Sequence, residues 1–526
     1  MEKKLLKTIA IISFVFGISC AFSFMTPVSA WAAVCEVTTS DGKTAQFDTC
    51  NQGWAYACYK SSENANNPTV FKLLTDWKSW TSKGKHSMNG SNYKHSKYDL
   101  GVDVERRHVP GLDGSKSKVD CFDNGYIWVP KNKKITIDLN GYNIDRQRGN
   151  DQSDHGEVIC VEKGASLTLI DSNPKRYQNL CGYYTLGGAI TGGANKNGGG
   201  GIHVRDNATL IVEGCNICGN QTNDDGGGIK LQGSKSRLIM NNSNVFANKT
   251  RNAKSDTDGG GIYCNHGTAT ITNTRFEGNE SEDYGGAIYA NNADVNLSVT
   301  NCIFVKNYCK DDGGAVYMDA GKLTMNDCLF YDNSAGDDGG AVYIDGQEGS
   351  VIRNCTFMSN RAKDSAGAFY VCDDNVFLID CNIKNNSCGS TGGGIYVKGK
   401  YRISIQGVME VCNNTGSGGR ADDLYLEDSK QDATVYSGGL MDGSKVGVRT
   451  GGKDPALKNV TQQEVDEYFF TNSGSFSTSK QSEKNESYYA TVFGNENAII
   501  IAVFVILWAI AIFGGLRVRR SRIRKN

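Results

Sequence analysis

The middle of the chain repeats itself about every 27 residues, and that period decides what it can fold into. The tetrapeptide G-G-[AG]-[IV], with one variant ending in Phe, places its last residue at Ile202, Ile229, Ile262, Ile288, Val316, Val342, Phe369 and Ile395. The successive spacings are 27, 33, 26, 28, 26, 27 and 26. The one long spacing holds a polar insertion, Thr250 to Thr257, as a loop on a repeat should. Nine residues before the apolar residue stand Asn220, Asn279, Asn307, Asn333, Asn360 and Asn386, with Asn248 in the long repeat. Three residues before each Asn comes Ile217, Val245, Phe276, Phe304, Phe330, Phe357 or Ile383. Two before those comes Cys215, Ser243, Thr274, Cys302, Cys328, Cys355 or Cys381.

Between these marks apolar residues alternate with period 2: Val316 with Met318, Leu323 with Met325, Cys328 with Phe330. Such strands, divided by Gly, Asn and Asp, are too short for helices. Three short strands per period, each with one apolar face, describe one coil of a parallel β-helix. Composition agrees. The chain has 63 Gly but only 6 Pro and no Gly-X-Y period, which excludes collagen and Pro-rich stalks.

The pair G-G-A-[IV] (285–288, 313–316, 339–342) and F-x-x-N (276–279, 304–307, 330–333, 357–360) resembles the repeats of the polymorphic outer membrane proteins. More broadly, the chain resembles bacterial surface proteins built on a right-handed parallel β-helix. The resemblance covers about 200–430. It implies an all-β, extracellular, right-handed parallel β-helix and, more loosely, adhesion or host contact. That family ends in an outer-membrane barrel, whereas this chain ends in one apolar run and a basic tail. Autotransport therefore does not follow, and a single-membrane cell or a eukaryotic surface fits better.

The ends set the expected compartment. Residues 1–32 read as a signal peptide, with Lys3, Lys4 and Lys7 before an apolar run and small residues around Ala30 and Ala32. Residues 33–125 read as an irregular N-terminal cap, 126–428 as the β-helix, and 429–497 as a C-terminal cap and polar spacer. Ala498 to Leu516 is a run of 19 residues without a charge. As a helix it spans about 28 Å, close to the ~30 Å hydrocarbon core. The tail 517–526 carries six cations, which stay cytoplasmic. The expectation is a single-pass cell-surface protein, anchored in the plasma membrane with its N-terminal region outside. Lys plus Arg (56) nearly balances Asp plus Glu (57), so no field points to a nucleic-acid partner.

Parity supplies candidate sites. The residue between each inward pair faces outward, and in six successive coils it is Tyr: Tyr263, Tyr289, Tyr317, Tyr343, Tyr370 and Tyr396. Stacked at about 4.8 Å, the rings are expected to form an exposed stripe. Edged by polar residues including Asn291, Asp319 and Asp345, it would dock a glycan or a surface protein. The other reading is that the rings serve the sheet itself. Asp225, Asp258, Asp312 and Asp338 precede the Gly-Gly turn and stack into a column, either solvated or neutralised by a cation, for which Ca²⁺ suits the oxygens. Cys302, Cys328, Cys355 and Cys381 face inward at strand spacing and read as buried thiols. In the cap, Cys35, Cys50, Cys58 and Cys121 are the better disulfide candidates for an oxidising compartment. No singular catalytic constellation breaks the repeat. A binding or adhesion protein is thus the first reading, and a polysaccharide lyase or glycoside hydrolase of the β-helix type the alternative.

Overall fold

A computed structural model of the chain describes residues 33–62, 67–78, 122–123, 126–149, 152, 154–252, 256–346, 349–372, 375–399, 401–427, 434–451, 456–472 and 477–478. The expected signal, the apolar run 498–516, the basic tail and Cys121 lie outside them. Among the described residues no helix is long and apolar enough to cross a membrane. The chain divides into two compact units, Met1–Gly321 and Lys322–Asn526.

In the first unit, strands Thr44–Phe47 and Cys35–Thr38 pair antiparallel, and Cys35–Thr38 pairs antiparallel with Thr69–Leu73. Thr69–Leu73 then runs parallel to Lys134–Asp138, so the stretch read as an irregular cap itself supplies a rung. The helix Cys50–Lys60 starts where the Thr49 hydroxyl accepts the Gln52 N–H at 3.3 Å. Trp54 from this helix meets Phe71 edge-on, with ring centroids 5.6 Å apart.

Parallel coils follow. The coil from Ile288 has four strands: Ile288–Asn291, Asn296–Thr300, Ile303–Val305 and Tyr308–Cys309. The second strands pair in register from Ser166–Ile170 through Thr209–Glu213, Arg237–Asn241 and Thr268–Thr272 to Asn296–Thr300. The fourth strand is one more than the alternation predicts, because two residues are too few for a period to show.

The Gly-Gly mark has a backbone cause. Its first glycine is left-handed at Gly226, Gly259, Gly285 and Gly313, with φ between 62° and 71°. Its second is packed against the next coil: a Cβ on Gly286 would lie 2.3 Å from the carbonyl oxygen of Gly314.

The second unit repeats the pattern. Lys322–Asn326, Ser350–Arg353, Asn375–Ile379 and Arg402–Gly407 pair in parallel, and parallel pairing continues through Thr434–Leu440, Ala456–Lys458 and Ser477–Thr478, past the expected end of the coils at 428. A short helix, Gln462–Tyr468, is closed by a Thr461–Glu464 capping box.

Candidate ligand-binding groove and the side-chain columns

The tyrosines stack as parity requires but are not exposed. In the first unit Tyr263, Tyr289 and Tyr317 follow one another at 5.4 Å between centroids. In the second, Tyr343, Tyr370 and Tyr396 follow at 4.6 and 4.8 Å. All six are only 6–8% exposed, which corrects the expected open stripe. Two features bury them. The turn before a Gly-Gly pair packs close to the column: a Cβ on Gly313 would lie 3.0 Å from the Tyr317 Cβ, and the Tyr284 ring packs 4.7 Å from that of Tyr317. For four of the rings the hydroxyl is also engaged, by the residue two beyond the column in the next coil. Tyr263 bonds to Asn291, Tyr289 to Asp319, Tyr343 to Cys372 and Tyr396 to Glu427. Asn291 and Asp319, expected to orient a ligand, are thus occupied by the column itself. Asp345 is half-buried.

The acidic column is mostly wired to backbone. Asp225 Oδ1 accepts the Asp258 N–H at 3.2 Å, Asp258 Oδ1 accepts the Tyr284 N–H at 3.2 Å, and Asp338 Oδ1 accepts the Ser365 N–H at 2.7 Å. Lys230 Nζ lies 2.9 Å from both Asp224 and Asp225, so an ammonium sits where a cation was expected. Burial pushes the Asp258 carboxyl up to about 8 and that of Asp338 up to about 6. Asp312 is half-buried, and its carbonyl accepts the Gly285 N–H. Of the four acids, Asp338 alone falls in a wider acidic group among the described residues. Its oxygen lies within 4.8 Å of those of Asp337 and Asp364, a set suited to Ca²⁺.

The inward columns are structural. Phe276 stacks on Phe304 and Phe330 on Phe357, each pair at 4.7 Å and fully buried. The Asn side chains form amide ladders. Nδ2 of Asn220, Asn248 and Asn279 donates to Oδ1 of the next Asn at 3.0–3.1 Å in the first unit. In the second, Asn333, Asn360 and Asn386 do the same, and Asn414 ends the run on Asp423. The other amide hydrogen goes to a backbone carbonyl, as from Asn360 to Phe330 at 3.0 Å. Cys302, Cys328, Cys355 and Cys381 are buried thiols donating to carbonyls such as those of Thr300 and Asn326. In the cap, the Cys35 and Cys50 thiols touch, which pushes Cys35 far above its ordinary value, while Cys58 is a buried thiol.

An accessible recess lies on the unexpected fourth strands of the first unit. It is a groove of about 440 Å³ lined by Lys249, Arg251, Glu280, Glu282, Tyr308 and Lys310. Lys249 pairs with Glu280 at 2.6 Å, and Lys310 with Glu282 at 4.0 Å. Strand parity sends Thr250 and Ser281 inward, where their hydroxyls meet at 3.3 Å, and Lys249, Glu280 and Tyr308 outward. The Tyr308 ring is 42% exposed. The sequence signal for this face is phase and not alternation: Lys249, Glu280 and Tyr308 each stand directly after a ladder Asn.

A family model described as a right handed beta helix region matches residues 250–408. No curated protein and no solved structure matches the chain. Such a region fits both a surface-binding protein and a hydrolase or lyase of the β-helix type. The matched segment and the parallel coils support a right-handed parallel β-helix repeat fold.

Proposed function

We propose that the chain is a membrane-anchored cell-surface binding protein whose extracellular β-helix docks an extended, charged glycan along the fourth-strand groove. The observation that carries this reading is the groove itself. An exposed aromatic face at Tyr308 is bordered by partly solvated carboxylates and ammonium groups, of which Lys310 and Glu282 are loosely paired at 4.0 Å and Lys249 and Glu280 closely paired at 2.6 Å. Tyr offers a flat apolar surface with a polar tip, and charged hydrogen bonds fix orientation. The basic start and apolar run of 1–32, the uncharged run 498–516 and the basic tail support the surface placement. The likeness to polymorphic outer membrane protein repeats supports an adhesive role.

The test is a glycan array probed with the full chain, with a reducing-sugar assay alongside. Binding should weaken about tenfold or more, roughly 1.4 kcal/mol, in Tyr308→Ala with Lys310→Ala, at unchanged melting temperature. Undiminished binding by that variant moves the site elsewhere, and release of reducing ends replaces binding with hydrolysis.

A further inference from the structure

The outward column of the first unit is not Tyr throughout. Strand register carries it back from Tyr263 to Lys230, His203, Cys160 and Trp128. Chemistry-bearing groups thus replace rings in the coils where the Gly-Gly repeat begins, and Glu157 enters the same cluster three residues before Cys160. We propose that Glu157, Cys160 and His203 form a buried site for a transition-metal dication of the zinc class.

One ligand atom from each of the three lies within 4.8 Å of the others, and all three residues are buried: Glu157 is 1% exposed, Cys160 0% and His203 6%. Metal bonds of about 2.0–2.3 Å in a tetrahedral site bring such atoms together with a closure of about 1 Å. The donors are a thiol, an imidazole and a carboxylate, which suits zinc-like ions and not the all-oxygen shell of Ca²⁺ or Mg²⁺.

The imidazole is prepared for this role. Its Nε2 donates to Gln232 Oε1 at 2.8 Å, which leaves the lone pair on Nδ1. Among the described residues Nδ1 has no hydrogen-bond partner.

The surroundings hold the other two donors. Asn195 Nδ2 donates to Glu157 Oε2 at 2.8 Å, and Arg205 Nε donates to Cys160 Sγ at 3.3 Å. Arg205 also pairs with Glu162 at 3.2 Å, and Lys230 with Asp224 and Asp225, so these two cations already have counter-charges. The buried Arg146 donates its Nε–H to the Glu157 carbonyl at 3.1 Å. Burial holds the thiol protonated in the metal-free protein. Binding exchanges that proton for the dication: the S–H bond breaks, the sulfur–metal bond forms, and the proton leaves to solvent with no change of oxidation state.

The experiment titrates the metal-free full chain with Co²⁺, whose thiolate-to-metal absorption reports cysteine ligation, and then with Zn²⁺ as competitor. One Co²⁺ per chain is expected, with the thiolate band present and displaced by Zn²⁺. Cys160→Ser and His203→Ala should abolish the band, while Cys181→Ser, at an exposed thiol, should keep it. Gln232→Ala, a positioning change, should weaken binding about 10–100-fold. A folded wild-type chain without the band, or a folded Cys160→Ser chain that retains it, overturns the proposal. If Cys160→Ser does not fold, peptide mapping of thiol alkylation on the wild-type chain in mild denaturant decides. Zn²⁺ should slow labelling of Cys160 about tenfold or more relative to Cys181, and equal rates with and without Zn²⁺ overturn it.

Discussion

At Asp258 burial sets the charge, and with it a pH dependence. Desolvation, with Asp225 beside it, lifts the carboxyl from 3.8 to about 8. The folded protein therefore keeps a proton that the unfolded chain releases above about pH 4. Its contribution to stability falls as pH rises from about 4 to about 8 and is level beyond. Asp258→Asn keeps an oxygen for the Tyr284 N–H but does not titrate. Its advantage over wild type should grow across that window, by at most about 1.4 kcal/mol per pH unit. Urea melts at the two ends of the window measure this, and an equal difference at both ends would refute the buried-acid account. Backbone demands are as local. Ala366 occupies the left-handed position that glycine fills elsewhere, at φ 58°, so Ala366→Gly should be neutral or stabilising by up to about 1 kcal/mol. Gly340→Ala should cost roughly 1–3 kcal/mol, because its Cβ would lie 2.2 Å from the Gly367 carbonyl oxygen. Thermal melts of the pair give the contrast, and equal effects would contradict it.

Among the elements, the columns explain why such short strands persist. Each strand of three to five residues contributes few backbone bonds, but every side chain meets its equivalent in the neighbouring coil. The Tyr370 ring lies between Tyr343 and Tyr396 at 4.6 and 4.8 Å. Tyr370→Ser should therefore cost roughly 3–5 kcal/mol through lost packing, whereas Tyr308→Ser, at an exposed edge, should change stability by less than about 0.5 kcal/mol. Denaturant melts of the two variants measure the difference. A small loss for Tyr370→Ser with a large loss of binding would restore that column as a docking face. In the core, Phe330→Ala should open a cavity costing roughly 3–5 kcal/mol, read from the same melts. A cost below about 1 kcal/mol would mean that the Phe column does not carry the core.

For the whole molecule, the surface proposal makes a topological claim. Protease added to intact cells should remove the β-helix and leave a membrane stub that contains 498–516. A protected β-helix would refute the placement outside the cell.

The linear sequence by itself determined the coil period, the Gly-Gly turn and the Phe and Asn columns. These depend on which residues recur at one phase, and stacking in register turns phase directly into contact. Parity also assigned the outward direction of Tyr263 through Tyr396, but direction away from the core is not exposure. A turn packed close to the column, and hydroxyl partners such as Asn291 for Tyr263, decided that only in three dimensions. The two-residue fourth strands were too short to show a period, so the groove around Tyr308 went unread. Glu157 and Cys160 lie on one coil, before the Gly-Gly mark begins to recur, and His203 lies on the next, directly after Ile202. Only the tertiary register, which sets Cys160 beside His203 across 43 residues of chain, brings them together.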